Sequence, residues 1–211
     1  AYKLASKEVF KTPELALTFS DEGLSGASRN FHRWGRTYKL AHGDKLRKIL
    51  LNSWEGVYFN INEPGMDQMM ADIAYMGGEL FVMDDGWFGE KYPRLTDNCA
   101  LGDWKVDRNK LPNGIGWLVE RADSHGISFG IWIEPEMVSP KSVLAEKHPE
   151  WIVASEGREK TTIRTQWLLD LSNPDVQDYV FGIFDRTMQL APGIDYIKWD
   201  ANMSIVNHGS Q

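Results

Sequence analysis

Short apolar runs that break off into acidic residues constrain this chain more than any other feature. Ile49-Leu50-Leu51 opens into Asn52-Ser53-Trp54-Glu55, and Leu80-Phe81-Val82-Met83 ends in Asp84-Asp85-Gly86-Trp87. Ser128-Phe129-Gly130-Ile131-Trp132-Ile133 ends in Glu134-Pro135-Glu136, and Asp195-Tyr196-Ile197 in Lys198-Trp199-Asp200-Ala201-Asn202. A brief run without polar alternation is the mark of a strand covered on both faces, as in a parallel sheet. Helical segments lie between the runs, so the chain repeats strand, loop and helix. In such folds chemistry gathers where the strands end, and Asp200 is the first residue to suspect.

The helices announce themselves by stripe and cap. Pro64 opens one with Met66, Met69, Met70, Ile73 and Ala74 on a single face, and Gly77-Gly78 closes it. That stripe reads as core. Pro112-Asn113-Gly114 leads into Ile115, Leu118, Val119 and Ala122, stopped by Gly126. A short helix is expected around Lys141–Lys147, then Trp151-Ile152-Val153, and an extended stretch over Arg164–Leu171. Ser172-Asn173-Pro174 starts a helix through Val176, Tyr179, Val180, Ile183, Phe184 and Met188. The long segment between Asp84 and Pro112 exceeds an ordinary connection and reads as functional or partly structured.

Ahead of the repeat, Val9-Phe10 and Leu15-Ala16-Leu17-Thr18-Phe19 alternate loosely around Pro13 and read as one or two short strands. Leu24, Ala27, Phe31, Trp34 and Tyr38 then recur at helical spacing, with His32 and Arg33 as a polar face rather than ligands. About four strand-and-helix units follow, whereas a closed (β/α)8 barrel takes roughly 250 residues. The expectation is an α/β chain holding the first half of a (β/α)8 TIM barrel, a piece of a longer polypeptide.

Composition narrows the partners. The net charge of −7 argues against a nucleic-acid backbone. No run approaches the roughly 20 apolar residues of a membrane span, and Ala1-Tyr2-Lys3 opens no signal-peptide pattern. Cys99 is the lone cysteine, so no internal disulfide framework exists; the compartment stays open between cytoplasm and periplasm. His125, His148 and His208 are scattered, which disfavours a metal reading of the clustered acids, and no cofactor is called for. Nine tryptophans, several beside those acids, suit an uncharged polyhydroxylated ligand: carboxylates accept from hydroxyls and indole faces cover C–H surface.

Asn52-Ser53-Trp54-Glu55, Asp84-Asp85-Gly86-Trp87-Phe88-Gly89, Gly102-Asp103-Trp104, Glu134-Pro135-Glu136-Met137-Val138, Arg164-Thr165-Gln166 with Leu169-Asp170-Leu171, and Lys198-Trp199-Asp200 occur in that order. Together they resemble the catalytic barrel of the α-galactosidases of glycoside hydrolase family 36, from about Phe10 onward. The resemblance implies a retaining hydrolase acting on terminal α-galactosides of the raffinose and melibiose type. It makes Asp200 the nucleophile and Lys198 the cation that keeps it ionised and holds a sugar hydroxyl. Asp84 and Asp85 would grip galactose hydroxyls, Trp132 would line the sugar pocket, Arg164 would stand near the nucleophile, and Trp54 and Asn202 would complete the substrate-binding set. Glu134 and Glu136 are left open between direct contact and support from behind. Residues 1–22 would be the tail of an N-terminal β-sandwich domain, 23–48 a connecting helix and linker, and 49–211 the half barrel. The family commonly forms tetramers, which implies a homo-oligomer.

Two departures stand out. The family often reads Met-Asn-Arg after the nucleophile, where this chain has Ala201-Asn202-Met203. The family's acid/base lies on a later strand, beyond Gln211, so a chain of this extent alone should not turn over. Sister readings are an α-N-acetylgalactosaminidase, a galactosyl-transferring relative, or a non-catalytic sugar-binding fragment.

Overall fold

A computed structural model describes residues 4–203 and separates into two compact units, one up to Arg47 and one from Lys48. In the first unit the expected strands do not form: residues 8–20 carry no strand. Leu15, Leu17 and Phe19 are more than four-fifths exposed. Alternation can extend a backbone, but a strand also needs a hydrogen-bonding neighbour, and among the described residues of this unit the only regular element is the helix α1, Gly23–Tyr38. The segment is tied to that helix by polar groups instead. The Asn30 amide donates to Thr18 Oγ1 at 3.0 Å and to the Phe19 carbonyl at 3.1 Å. Lys39 Nζ meets Glu14 at 2.8 Å.

In the second unit the chain runs through β1 (Leu50–Asn52), β2 (Leu80–Met83), β3 (Ser128–Ile133), β4 (Met137–Val138), β5 (Trp167–Leu168) and β6 (Ile194–Trp199). Its helices are α2 (Trp54–Val57), α3 (Glu63–Tyr75), α4 (Gly114–Ser124), α5 (Val143–Lys147) and α6 (Pro174–Gln189). Strands β1, β2, β3 and β6 form one sheet in that order, all parallel, with β2 buried along its whole length. This is α/β architecture consistent with part of a (β/α)8 barrel. The stretch expected to be extended around Leu168 contributes only β5, which pairs antiparallel with β4 and stays out of the main sheet.

The register decides which side chains share a face. Met83 pairs with Ile131, Ile131 with Ile197, and Trp132 with Lys198. Successive strand residues alternate between faces. Phe81, Met83, Phe129, Ile131 and Ile133 therefore turn together into one apolar core with Met66, Met70 and Ile73 of α3 and Ile115, Leu118 and Val119 of α4. Asn52, Val82, Gly130 and Tyr196 turn the other way, and Asp84, Trp132 and Lys198 follow one step further along that face. Gly130 lets the strands close up there. A Cβ on it would lie 3.0 Å from the Tyr196 Cβ and 3.1 Å from a Val82 methyl.

The caps agree with the sequence. Asn62 accepts from the Gly65 amide to start α3, and Gly77 leaves that helix at φ +85°. Asn173 accepts from the Asp175 amide ahead of Pro174 at the start of α6.

The long connection between β2 and α4 is held by a half-buried cation. Lys110 Nζ donates to three carbonyls, Gly86 at 2.6 Å, Phe59 at 2.8 Å and Arg94 at 2.9 Å, so one ammonium pins three points of the loop layer. Burial pushes its pKa down, against the pull of Asp107 and Asp85. Replacing Lys110 with methionine strips those carbonyls of their donor while keeping the bulk. We expect Lys110→Met to lose about 2–4 kcal/mol in urea unfolding, at an unchanged m-value. An unchanged midpoint would show that the staple carries no weight.

Candidate active site

Three carboxylates sit where the parallel strands end, each with its own partners. Asp84 follows β2 and is 3% exposed. Its backbone N–H donates to Ser53 Oγ at 2.9 Å, while its Oδ2 accepts from Asn52 Nδ2 at 2.5 Å and Lys198 Nζ at 2.8 Å. Lys198 reaches across β3 to make this contact, because Asp84 and Lys198 are on the same face at the same level of the sheet. The lysine therefore bonds Asp84, and its charge acts on Asp200 only through space.

Asp200 follows β6, its N–H donating to the Ile133 carbonyl at 2.8 Å so that the ladder runs on one more step. Its Oδ2 accepts from Asn202 Nδ2 at 2.7 Å and from Trp132 Nε1 at 3.2 Å, and its Oδ1 from the Ala201 amide at 3.2 Å. Partial burial opposes the charge, but the Asn202 and Trp132 hydrogen bonds and the Lys198 charge outweigh it. The carboxyl is held below its ordinary pKa. It is an ionised, half-exposed carboxylate at a strand end.

Glu134, at the end of β3, is fully buried. Its Oε1 accepts both from the Asn202 backbone amide, at 3.1 Å, and from Asn202 Nδ2, at 2.8 Å. Its Oε2 is buried without a hydrogen-bond partner among the described residues. Burial drives its pKa up to about 7; Asn202 and the Arg164 charge pull against the rise, while the neighbouring Asp200 charge adds to it. The Asn202 amide thus bridges two carboxyl groups, one charged and one inclined to hold its proton. Glu136 turns elsewhere, accepting from Trp199 Nε1 at 3.0 Å.

The other expected residues are placed less simply. Asp85 turns away from Asp84: Arg94 clamps it through Nε to Oδ1 at 3.0 Å and a terminal nitrogen to Oδ2 at 2.7 Å, and both side chains are buried. Burial pushes the Asp85 pKa up while Arg94 holds the group charged from the other side. This carboxylate is committed to an arginine, whereas that of Asp84 is committed to Lys198 and Asn52. Trp132 is 1% exposed, stacked on Phe88 at 6.2 Å and tilted against Trp104 at 6.0 Å. It offers the site its indole N–H and keeps its ring face inside an aromatic cluster. Trp54 lies half-buried on α2, edge-on to Tyr58 and Phe59. Arg164 is held on the loop before β5 by Asp97, at 2.8 Å. Among the described residues no group of three histidines, cysteines or acids could hold a metal ion.

Sequence reasoning passed over Arg94 and Asp97, which lie in the long loop without any periodic signal. Glu134 was visible as an acid at a strand end, but nothing local marked it as the one whose charge is costly.

The sequence pattern of the Melibiase family matches residues 9–211. The chain is 44% identical over 206 residues to α-galactosidase AgaA of Geobacillus stearothermophilus, and 39% identical over 206 residues to α-galactosidase Mel36A of Lactobacillus acidophilus. These alignments cover 96% and 97% of this chain but 28% of each relative, so the chain spans under a third of the curated relatives it matches. Among solved structures, the GH36 α-galactosidase AgaB of Geobacillus stearothermophilus superposes with a TM-score of 0.84 at 43% identity, covering 90% of this chain and 26% of that one. A variant of AgaA in complex with raffinose superposes at 0.85 and 42% identity, over the same shares.

Glu134 makes a pH prediction. With its folded pKa near 7 and an ordinary value of 4.5, the native protein keeps a proton that the unfolded chain has released throughout that window. Stability therefore falls as pH rises from about 4.5 to about 7, by up to about 3 kcal/mol. Glu134→Gln carries no such proton. The unfolding free energy of Glu134→Gln should gain on the wild type by that order between pH 4.5 and 8, whereas a constant difference would mean that Glu134 titrates normally.

Proposed function

The chain belongs to the Melibiase family, as a glycoside hydrolase family 36 member, and from that premise we propose that it serves a retaining α-galactosidase in which Asp200 is the nucleophile. The observation that carries this reading is the state of Asp200. It is ionised, half exposed, and pinned through one oxygen by two side-chain N–H groups. Among the described residues its other oxygen receives only the Ala201 amide, at 3.2 Å, and is the one free to attack.

The chemistry follows from that placement. Asp200 Oδ1 adds to the anomeric carbon as the bond to the departing oxygen breaks, and a glycosyl ester on Asp200 is the intermediate that water then hydrolyses. Trp132 and Asn202 hold the carboxylate still, so that little reorganisation is needed when it reacts. A second carboxylic acid supplies the proton to the leaving oxygen; the family resemblance puts it on a later strand, and none of the acids placed here is assigned that role. Asp84, carrying Lys198 and Asn52 on one oxygen, presents a charged hydrogen-bonding edge beside the nucleophile's sheet face. An acceptor and a donor locked together can grip neighbouring sugar hydroxyls at once, and we assign the pair to galactose.

Raffinose-type oligosaccharides are the substrates we expect, because structures of GH36 relatives hold raffinose and stachyose. We carry residues 49–211 forward as the first half of a (β/α)8 barrel and the protein as a homo-oligomer, both resting on the resemblance. No helix among the described residues is long and apolar enough to cross a membrane.

Asp200→Ala, made in the protein as its source organism produces it, should lower kcat on an aryl α-galactoside by at least about 10⁴-fold. A mechanism-based galactosyl inhibitor should label the peptide bearing Asp200. Label on Asp84 or Glu136, or substantial turnover by the variant, would overturn the assignment.

A further inference from the structure

The loop that carries Arg164 is bent in a way its own residues do not favour. Arg164 and Thr165 both adopt left-handed backbone, at φ +53° and +59°. They form a two-residue turn closed by reciprocal hydrogen bonds between Ile163 and Gln166, at 3.1 and 2.9 Å. Turns of that form ordinarily take asparagine and glycine, and a left-handed conformation costs an L-residue roughly 1–2 kcal/mol, with β-branched threonine among the least suited. Something outside the turn has to hold it.

Asp97 is that holder. Its carboxylate Oδ1 accepts from Arg164 at 2.8 Å and its carbonyl accepts from Gln166 Nε2 at 3.3 Å; the Thr165 hydroxyl, which donates to the Arg164 carbonyl at 2.6 Å, shares its hydrogen with the Asp97 carbonyl at 3.3 Å. Each residue of the turn's second half is thus tied to the same residue. Asp97 is itself anchored inward, since Oδ1 also receives Arg94 at 3.3 Å. Arg94 is wholly buried, clamps Asp85, donates to the Cys99 carbonyl at 2.9 Å, and lies over the rings of Phe59 and Phe88. The order of contacts is Asp85, Arg94, Asp97, Arg164: alternating charges running from the end of β2 out to the turn. At the outer end, the Arg164 charge is close enough to act on Glu134, the acid joined to Asp200 through Asn202. Apart from Asp97, no described side chain receives the Arg164 guanidinium in a hydrogen bond, so its remaining N–H groups are free for a substrate hydroxyl.

We propose that Asp97 is a positioning residue: it holds the strained Arg164–Thr165 turn so that the Arg164 guanidinium keeps its charge within reach of Glu134 and binds the glycoside there. The inference deepens the α-galactosidase reading and rests on it. It also gives Asp85 a purpose. The carboxylate that turns away from the sugar side is the inner anchor of this relay.

The test is a double-mutant cycle on an aryl α-galactoside, measured in the natural protein with Asp97→Ala, Arg164→Ala and the pair. If Asp97 acts through Arg164, Asp97→Ala raises KM about tenfold or more with a smaller change in kcat, and the double variant is no worse than Arg164→Ala alone. Additive losses in kcat/KM, or an unchanged KM in Asp97→Ala, would overturn the positioning role while leaving the α-galactosidase reading intact. A wild type that does not hydrolyse α-galactosides would take both down. Should Asp97→Ala fail to fold, the same cycle with Asp97→Asn, which keeps an acceptor but drops the charge, decides by the same criterion.

Discussion

Parallel strands that end in carboxylates raise a problem of charge before they offer a solution to catalysis. A buried carboxylate is tolerable only with a cation or several N–H groups on it. The answer here is the ion pair between Asp84 and Lys198, which reaches across β3 from one strand end to another. Period-two alternation makes it possible, since the two residues occupy one level of one face, with Trp132 paired to Lys198 between them. The same alternation sends Phe81, Ile131 and Ile133 into the apolar core beneath the helices. A single-residue slip of register would exchange those two sets and bury charge against α3 and α4. Core and site are therefore settled by one constraint.

The adjacent aspartate obeys the same rule by a different route. Asp85 cannot also face Lys198, because neighbouring residues diverge, so the long connection has to bring its own cation. Arg94 does this with two nitrogens on one carboxylate, and Lys110 ties the loop's carbonyls around it. One buried and one half-buried cation thus make a folded layer of a segment that has little secondary structure. Its length is explained by what it must deliver.

Much of the second unit was legible in the sequence. The apolar runs at Leu80–Met83 and Ser128–Ile133, the helix starts at Pro64 and Asn173-Pro174 and the glycine stop at Gly77 are local signals with local causes, and the structure repeats them nearly residue for residue. What escaped depends on partners distant in sequence. Val9–Phe19 had the alternation of a strand, but among the described residues no strand pairs with it. Asp85 and Trp132 were expected to face the ligand together with Asp84 and Asp200; sequence shows that residues sit at a strand end, but not that an arginine nine positions on takes one carboxylate. Nor does it show that an indole will bury its face and leave only its N–H at the site. Strain at Arg164 and Thr165 is likewise invisible until the backbone is traced, because neither residue advertises a left-handed turn.

Glu134 shows how the ends of two adjacent strands divide their labour. It and Asp200 share the Asn202 amide, one hydrogen to each, so the two carboxyl groups are close enough that ionising both is costly. The pair resolves by environment. Asp200 has an indole N–H, a backbone amide and the reach of the Lys198 charge, and stays ionised. Glu134 is fully buried, has one oxygen without a partner among the described residues, and is the group that retains the proton, up to about pH 7. A neutral Glu134 still accepts from Asn202 and so keeps that amide aimed at Asp200 without placing a second negative charge behind it. Two acids at adjacent strand ends, pushed in opposite directions by what surrounds them, leave a single charged oxygen pair facing outward. That separation is what lets a rim of acids present one charged carboxylate rather than a patch of competing charge.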